Sequence, residues 1–207
     1  MEDHVLTRLK RMQALAATGR FYAKDPFDVE RYEEIDALAQ QLMAAKFSVH
    51  GLSDLPLPSE GYATPKLEVR GAVFSEGKIL LIRERHDGLW SLPGGFCDVG
   101  LSAAENIEKE VWEEANIRVR ATRLIQIWHK AKGPYPPDHR DFYKLGFLCE
   151  AEGNVVPTPG EEAIEVGFFG LDALPDLSAC RISRRDIESA FQHHATPQSE
   201  AEFDRTC

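Results

Sequence analysis

The apolar residues of the N-terminal region recur at helical spacing. In the first stretch they are Val5, Leu6, Leu9, Met12, Leu15 and Ala16, and in the second they are Tyr32, Ile35, Leu38, Ala39, Leu42 and Met43. Spacings of three and four predict two amphipathic helices. Residues 18–28 contain a glycine and a proline, and Asp28 can cap the second helix. We therefore predict a helical hairpin over residues 1–50 and a proline-containing linker over residues 51–66.

Alternation typical of β-strands begins after this linker. Residues 67–74 and 78–85 flank Ser75-Glu76-Gly77, which predicts a β-hairpin. Further strands are predicted over residues 124–129, 142–149 and 165–170, with a helix over residues 182–194. This order predicts an α/β domain with a mixed sheet over residues 67–207.

The size of the chain fits this division. With 207 residues, it can hold one domain of about 140–150 residues beside the helical hairpin. Two helices alone bury little apolar surface, so the hairpin should pack on the sheet domain or on a second subunit. We expect a homodimer formed through the N-terminal helices.

The composition of the chain limits the classes of molecule that it can bind. The formal net charge is −10 and no basic stripe offsets it, which argues against wrapping of nucleic acid and favours a small ligand. Cys97, Cys149, Cys180 and Cys207 are widely spaced and form no metal-type pairs, so we expect reduced thiols. The N-terminus has no apolar signal core and no apolar run reaches membrane-spanning length. We expect a cytoplasmic protein without a membrane partner.

Three glutamates carry the candidate chemistry. Glu110, Glu113 and Glu114 stand at i, i+3 and i+4, so a helix presents them on one face. A like-charge i, i+4 pair costs roughly 0.2–0.5 kcal/mol, and acids in the last turns also oppose the helix dipole. A divalent cation would remove both conflicts, and carboxylate ligands suit Mg²⁺ or Mn²⁺. A solvated acidic helix face is the alternative.

The flanking residues define the helix that carries these acids. Ser102 and Glu105 form a capping box, so the helix should begin near Ala103. Asn116 can take the left-handed conformation that ends a helix. The glycines of Leu92-Pro93-Gly94-Gly95 predict a tight turn before it.

The stretch from Gly95 to Ile117 resembles the Nudix box, which reads Gly, five residues, Glu, seven residues, Arg-Glu-U-x-Glu-Glu-x-Gly-U, where U is bulky and aliphatic. Leu101 stands where the family has Glu, Lys109 where it has Arg, and Asn116 where it has Gly. Lys109 and Asn116 would keep structural roles. Glu105, four residues before Lys109, offers that lysine a helical ion pair.

The resemblance implies the family's α/β/α sandwich and hydrolysis of a pyrophosphate bond. It implies Mg²⁺, or Mn²⁺, held by four groups, which are Glu110, Glu113, Glu114 and the Gly95 carbonyl. The base that activates water would be Glu113 or Glu162, and Glu161 beside Glu162 leaves that assignment open. An acidic loop that serves only solubility is the alternative for both loop residues.

The helical N-terminus and residues 22–26, 61–66 and 165–169 resemble one Nudix subgroup, which hydrolyses nucleoside diphosphates linked to another moiety. ADP-ribose and CDP-choline are the substrates that this resemblance implies. The alternatives are a nucleoside triphosphate pyrophosphatase and a binding module without turnover, for which Leu101 is the argument; the intact glutamates favour an enzyme. Candidate substrate contacts are Trp90, Lys130, Arg140 and Tyr22, although packing is the commoner role for Trp90 and Tyr22.

Overall fold

The computed structural model describes residues 4–47, 62–153 and 155–205. Most of the predicted linker, residues 51–61, lies outside the described residues, as does Cys207. The chain forms two compact units. One contains the N-terminal helices together with residues 136–141, and the other contains the rest of the described chain from Lys66 onward.

The hairpin unit contains α1, His4–Tyr22, and α2, Pro26–Phe47. Their connection is shorter than predicted, because only Ala23, Lys24 and Asp25 separate the two helices. Asp25, rather than the predicted Asp28, caps α2, since its carboxylate accepts the Phe27 N–H at 2.8 Å. Pro26 then occupies the first helical position, where its missing N–H costs nothing.

The apolar residues of the hairpin divide between two faces. Leu6, Leu9, Ala39 and Met43 are buried together between the helices. The other face is exposed and carries Val5, Met12, Leu15, Ile35, Leu38 and Leu42, each between 38% and 55% exposed. Both faces satisfy helical spacing, so the periodicity alone did not distinguish them.

The second unit is built on a seven-stranded sheet. Its strands are β1 Lys66–Ser75, β2 Lys78–Glu84, β3 Trp90–Ser91, β4 Val119–His129, β5 Phe142–Ala151, β6 Ala163–Phe169 and β7 Glu202–Phe203. The order is β3-β2-β1-β5-β4-β7, and β6 also pairs with β2. β1 with β5 and β4 with β7 are parallel while the other pairs are antiparallel, so the predicted mixed sheet is confirmed.

The predicted β1–β2 hairpin is confirmed. Phe74 pairs with Ile79, and Ser75 pairs with Lys78. Glu76 and Gly77 between them have φ values of 49° and 72°. Two consecutive positive φ values are those of a type I′ turn, which matches the twist of the flanking strands.

Helices cover both faces of the sheet, which confirms the α/β/α sandwich. α3, Ala103–Ala115, packs through Ile107 and Val111 on one apolar cluster. α4, Arg184–Ala195, packs through Ile187 and Ala190 on the other cluster. None of the helices within residues 4–47, 62–153 and 155–205 combines the length and the hydropathy that a membrane span requires.

Candidate active site

The turn before α3 is fixed against strand β1. The Val69 N–H donates to the Gly95 carbonyl and the Gly71 N–H donates to the Pro93 carbonyl, both at 2.9 Å. Gly94 has a φ of 143°, and a Cβ there would lie 2.0 Å from the Val69 carbonyl oxygen. Only glycine fits at that position. The backbone of the turn is therefore set by the sheet, not by the loop itself.

The start of α3 is held as predicted and by one further residue. Ser102 and Glu105 form the capping box, and α3 begins at Ala103. Asn106 is 1% exposed; its amide oxygen accepts the Asp98 N–H at 2.8 Å, and its amide nitrogen donates to the Ser102 carbonyl at 3.0 Å. Sequence reasoning missed Asn106. Its signal was a polar residue beside the core-facing Ile107.

The three glutamates predicted to bind metal and the predicted bases line one open cleft. Its volume is about 490 Å³, and its lining residues are Lys109, Glu110, Glu113, Glu114, Glu161 and Glu162. Two distant chain segments, the last turns of α3 and the loop before β6, supply these side chains. Five carboxylates thus face a single lysine in this cleft.

Glu114 is the most buried of these acids, at 4% exposed. Its carboxylate accepts the Gly94 N–H at 2.8 Å, which ties α3 to the turn. Burial raises the pKa of Glu114 to about 8, and the nearby Arg70 and the Gly94 N–H offset only part of that effect. Burial also raises the pKa of Glu110, with repulsion from Glu113 and Glu162 adding to it.

Glu110 lies directly against the glycine turn. A Cβ on Gly95 would come within 2.7 Å of the Glu110 carboxylate oxygen. The Gly95 carbonyl, a predicted metal ligand, already accepts the Val69 N–H. A carbonyl oxygen has two lone pairs, so one of them remains for a cation.

Lys109 contacts different acids from the one predicted. Its ammonium lies 2.9 Å from the Glu113 carboxylate and 3.1 Å from that of Asp98. Hydrogen bonds to these two carboxylates raise the pKa of Lys109, and the bond to Glu113 has the larger effect. The expected partner Glu105 is wrong, because its carboxylate accepts the Ser102 N–H at 2.7 Å in the capping box.

The loop before β6 is fastened to the C-terminal end of α3. The Gly160 N–H donates to the Glu114 carbonyl and the Thr158 N–H donates to the Ala115 carbonyl, both at 3.0 Å. Asn116 ends α3 in the predicted left-handed conformation, with φ 54°. Its side-chain amide donates to the Thr158 carbonyl at 3.0 Å. The bonds to the Glu114 and Ala115 carbonyls satisfy acceptors that a helix end leaves without partners.

The same loop is anchored on its other side by Arg85. The Arg85 N–H donates to the Glu162 carbonyl at 3.1 Å, and the Arg85 guanidinium donates to the Glu161 carbonyl at 3.0 Å. Their backbones being held, Glu161 and Glu162 both reach the cleft. Of these two loop residues, Glu162 and not Glu161 is among the charges that raise the pKa of Glu110.

Two of the predicted substrate contacts, Trp90 and Lys130, do not line this cleft. Trp90 packs its ring edge-on to Phe169, 4.8 Å between centroids, in the apolar cluster under α4. Lys130 is 4% exposed, and its ammonium lies 4.9 Å from the centre of the Phe142 ring.

The other two belong to the hairpin unit. The Arg140 guanidinium lies 2.8 Å from the Asp138 carboxylate. Tyr22 is 65% exposed and packs edge-on against Phe21. A substrate role for all four residues stays a prediction.

The donor set of the cleft fits a hard divalent cation. In the described part of the chain, no three His, Cys, Asp or Glu side chains stand ready-made around a metal position. Glu113 is instead turned to Lys109, and Glu114 to the Gly94 N–H. Mg²⁺ needs only one or two protein carboxylates, because waters and substrate phosphates complete its shell. A cation would also relieve the repulsion among the crowded acids.

Comparisons with known proteins agree with this geometry. A family model described as NUDIX domain matches residues 65–188. A second model, described as UDP-X-like, N-terminal oligomerisation domain, matches residues 3–50. The chain is 40% identical to the putative ADP-ribose pyrophosphatase YjhB of Bacillus subtilis (strain 168), over 96% of each chain.

Two solved structures are similar across both sequence and fold. A crystal structure of an ADP-ribose pyrophosphatase from Streptococcus suis 89-1591 shares 40% identity at a TM-score of 0.62, covering 68% of this chain and 100% of that one. A crystal structure of UDP-X diphosphatase shares 31% identity at a TM-score of 0.63, covering 96% and 97%. The protein therefore belongs to the Nudix family of pyrophosphohydrolases.

Proposed function

We propose that the protein hydrolyses the pyrophosphate bond of a nucleoside diphosphate linked to another moiety, in a Mg²⁺-dependent reaction that releases a nucleoside monophosphate. The observation that carries this proposal is the cleft of five glutamates around Lys109. Such a cleft repels a bare diphosphate and accepts one together with a divalent cation. The relatives named ADP-ribose pyrophosphatase and UDP-X diphosphatase support this substrate class.

The residues that would hold Mg²⁺, or Mn²⁺, are Glu110, Glu113, Glu114 and the Gly95 carbonyl. When bound, the cation supplies positive charge for the diphosphate and lowers the pKa of a bound water. The chain's own part is orientation. The Gly94 N–H holds Glu114, and Lys109 holds Glu113.

Glu162 is the proton acceptor that we propose for the attacking water. It enters the cleft from the loop before β6, on a different segment from the α3 carboxylates. Glu113, the other candidate, already contacts the Lys109 ammonium at 2.9 Å, so its carboxylate is engaged by a neighbouring side chain. Glu161 is the matched residue for testing this choice, because it lines the same cleft from the same loop.

ADP-ribose is the substrate that we favour, since two of the relatives carry that activity in their names. CDP-choline is the second candidate within the same class, and the similarity to UDP-X diphosphatase adds UDP-linked compounds. A nucleoside triphosphate pyrophosphatase and a binding module without turnover remain the alternative functions.

We also propose a homodimer formed through α1 and α2. The exposed apolar face of the hairpin, which carries Val5, Met12, Leu15, Ile35, Leu38 and Leu42, supports it. So does the match of residues 3–50 to an oligomerisation domain. Contiguous apolar surface on a small helical unit marks an interaction site.

Product chromatography tests the proposed activity. Purified protein is incubated with Mg²⁺ and, separately, with ADP-ribose, CDP-choline, a UDP-sugar and a nucleoside triphosphate. Release of AMP, CMP or UMP from a linked diphosphate is expected. Cleavage of the triphosphate alone would support the alternative pyrophosphatase, and unchanged substrates throughout would support a binding module.

A further inference from the structure

Asp98, Lys109 and Glu113 form a chain of charges along the rim of the cleft. The Lys109 ammonium lies between the two carboxylates, 3.1 Å from Asp98 and 2.9 Å from Glu113. All three side chains reach solvent, with side-chain exposures of 60% for Asp98, 39% for Lys109 and 51% for Glu113. Asp98 is not among the residues that line the cleft, whereas Lys109 and Glu113 are.

The backbone around Asp98 is fixed by α3. Asn106, buried in the first turns of that helix, accepts the Asp98 N–H at 2.8 Å and donates to the Leu101 carbonyl at 3.3 Å. The side chain of Asn106 therefore fixes the Asp98 backbone, and the side chain of Leu101 takes no part in these bonds. Leu101 itself is 41% exposed and carries no charge.

Lys109 carries one positive charge between two carboxylates, those of Asp98 and Glu113. Lys109 paired with Glu113 alone would neutralise that carboxylate and compete with a divalent cation for it. With Asp98 as a second partner, the lysine charge is already balanced, and Glu113 retains negative charge for the cleft. The Glu113 carboxylate points toward Lys109, 2.9 Å from its ammonium.

We propose that Asp98 is a positioning residue, which acts through Lys109 to keep Glu113 available to a divalent cation. The proposal rests on the proposed metal-dependent function of the cleft. It also gives this chain a carboxylate partner for Lys109 from position 98, while position 101 carries leucine.

A double-mutant cycle on Mn²⁺ affinity tests the proposal without substrate. Mn²⁺ binding is followed by the electron paramagnetic resonance of the free ion in wild type, Asp98→Asn, Lys109→Met and the double variant. Asp98→Asn is expected to raise the dissociation constant about threefold, the size typical of an exposed ion pair. In the Lys109→Met background, Asp98→Asn should raise the Mn²⁺ dissociation constant by less than about 1.5-fold. Without Lys109, Asp98 acts on the cation only through long-range electrostatic attraction.

Glu188→Gln is the matched control, since it removes one carboxylate from an exposed ion pair with Arg184 on α4, 2.8 Å long. Its Mn²⁺ affinity should equal that of wild type. An Asp98→Asn effect of the same size in both backgrounds, or no effect in either, would overturn the proposal. Thermal melting of each variant separates these results from misfolding.

The experiment also separates this inference from the proposed function. If Mn²⁺ affinity follows the expected pattern but no linked diphosphate is hydrolysed, the positioning role stands and the activity is wrong. If wild type binds no Mn²⁺ at millimolar concentration, the positioning role is overturned. Product chromatography would then still report on the activity by itself.

Discussion

Gly94 and Gly95, the neighbouring glycines of the turn, exclude a side chain for different structural reasons. At Gly94 a side chain would meet the backbone of β1, with Cβ 2.0 Å from the Val69 carbonyl oxygen, and φ is 143°. At Gly95 the atoms nearest to a side chain would be those of the Glu110 carboxylate, with an oxygen at 2.7 Å. The first glycine is required by the fold, and the second leaves room for a functional side chain.

The alanine variants of these glycines should therefore separate stability from activity. Gly95→Ala displaces a flexible carboxylate, so we expect a melting temperature near that of wild type and a kcat about 10- to 100-fold lower. Gly94→Ala forces the β1 backbone to move, so we expect the free energy of unfolding to fall by about 2 kcal/mol or more. Full activity in folded Gly95→Ala would contradict the position given to Glu110.

Glu114 makes stability depend on pH. Its pKa is raised by burial from 4.5 to about 8, so the folded protein holds this proton more tightly than the unfolded chain. Between those two pH values the unfolded chain binds fewer protons, and the free energy of unfolding falls as pH rises. In metal-free buffer we expect wild type to lose stability from pH 5 to pH 8.

Urea unfolding at both pH values, in wild type and Glu114→Gln, measures this dependence. Glutamine keeps an oxygen for the Gly94 N–H but cannot ionise, so the loss of stability should become smaller. Glu188→Gln should retain the wild-type loss. Equal losses in wild type and Glu114→Gln would show that Glu114 is not the group responsible.

At the scale of elements, α3 and the loop before β6 behave as one assembly. Asn116 takes the left-handed conformation at the end of α3 and donates its amide to the Thr158 carbonyl. Gly160 approaches so closely that a Cβ there would lie 1.7 Å from the Glu113 carbonyl oxygen. The helix end thus places the acids of residues 161–162 beside those of α3.

Asn116→Gly tests this coupling, because glycine keeps the left-handed backbone and removes only the amide. We expect the free energy of unfolding to change by about 1 kcal/mol or less, since one hydrogen bond is lost and backbone strain is relieved. Faster hydrogen exchange at the Gly160 amide and a lower kcat should accompany it. Unchanged exchange and unchanged kcat would show that the loop is held without Asn116.

Several features of the helices and turns could be predicted from the sequence. The capping box, the left-handed Asn116 and the turn at Glu76 and Gly77 each depend on local residues, and the structure confirms them. Strands β3 and β7 span two residues each, too short for alternation to be visible. The predicted ion pair between Lys109 and Glu105 was wrong. Helical spacing does not show that the Glu105 carboxylate already accepts a hydrogen bond in the capping box.

For the molecule as a whole, the sequence predicted which apolar residues belong to the helices. It did not predict which faces of those helices are buried and which are exposed. Helical spacing identified the apolar residues of α1 and α2, yet packing divides them into a buried and an exposed face. The gathering of residues 161–162 with α3 depends on contacts distant in sequence. Such pairings leave no periodic signal, and here only the resemblance to a family indicated them.

The exposed face of the hairpin predicts how the protein assembles. Leu42→Lys places a charge in that face, where the side chain is 55% exposed in the single chain. We expect wild type to sediment as a dimer and Leu42→Lys as a monomer, because burying an unpaired charge is costly. Gln41→Lys, an exposed polar position of the same helix, should stay dimeric. A monomeric wild type, or a dimeric Leu42→Lys, would contradict the proposed interface.

Whether the acidic cleft performs metal-dependent hydrolysis is decided by one reaction rate. This is the rate of AMP release from ADP-ribose, followed by chromatography against Mg²⁺ concentration, in wild type, Glu114→Gln and Glu188→Gln. We predict saturable Mg²⁺ dependence in wild type and in Glu188→Gln, with kcat at least about 100-fold lower in Glu114→Gln. AMP release that needs no divalent cation, or that survives in folded Glu114→Gln, would rule out metal-dependent hydrolysis in this cleft.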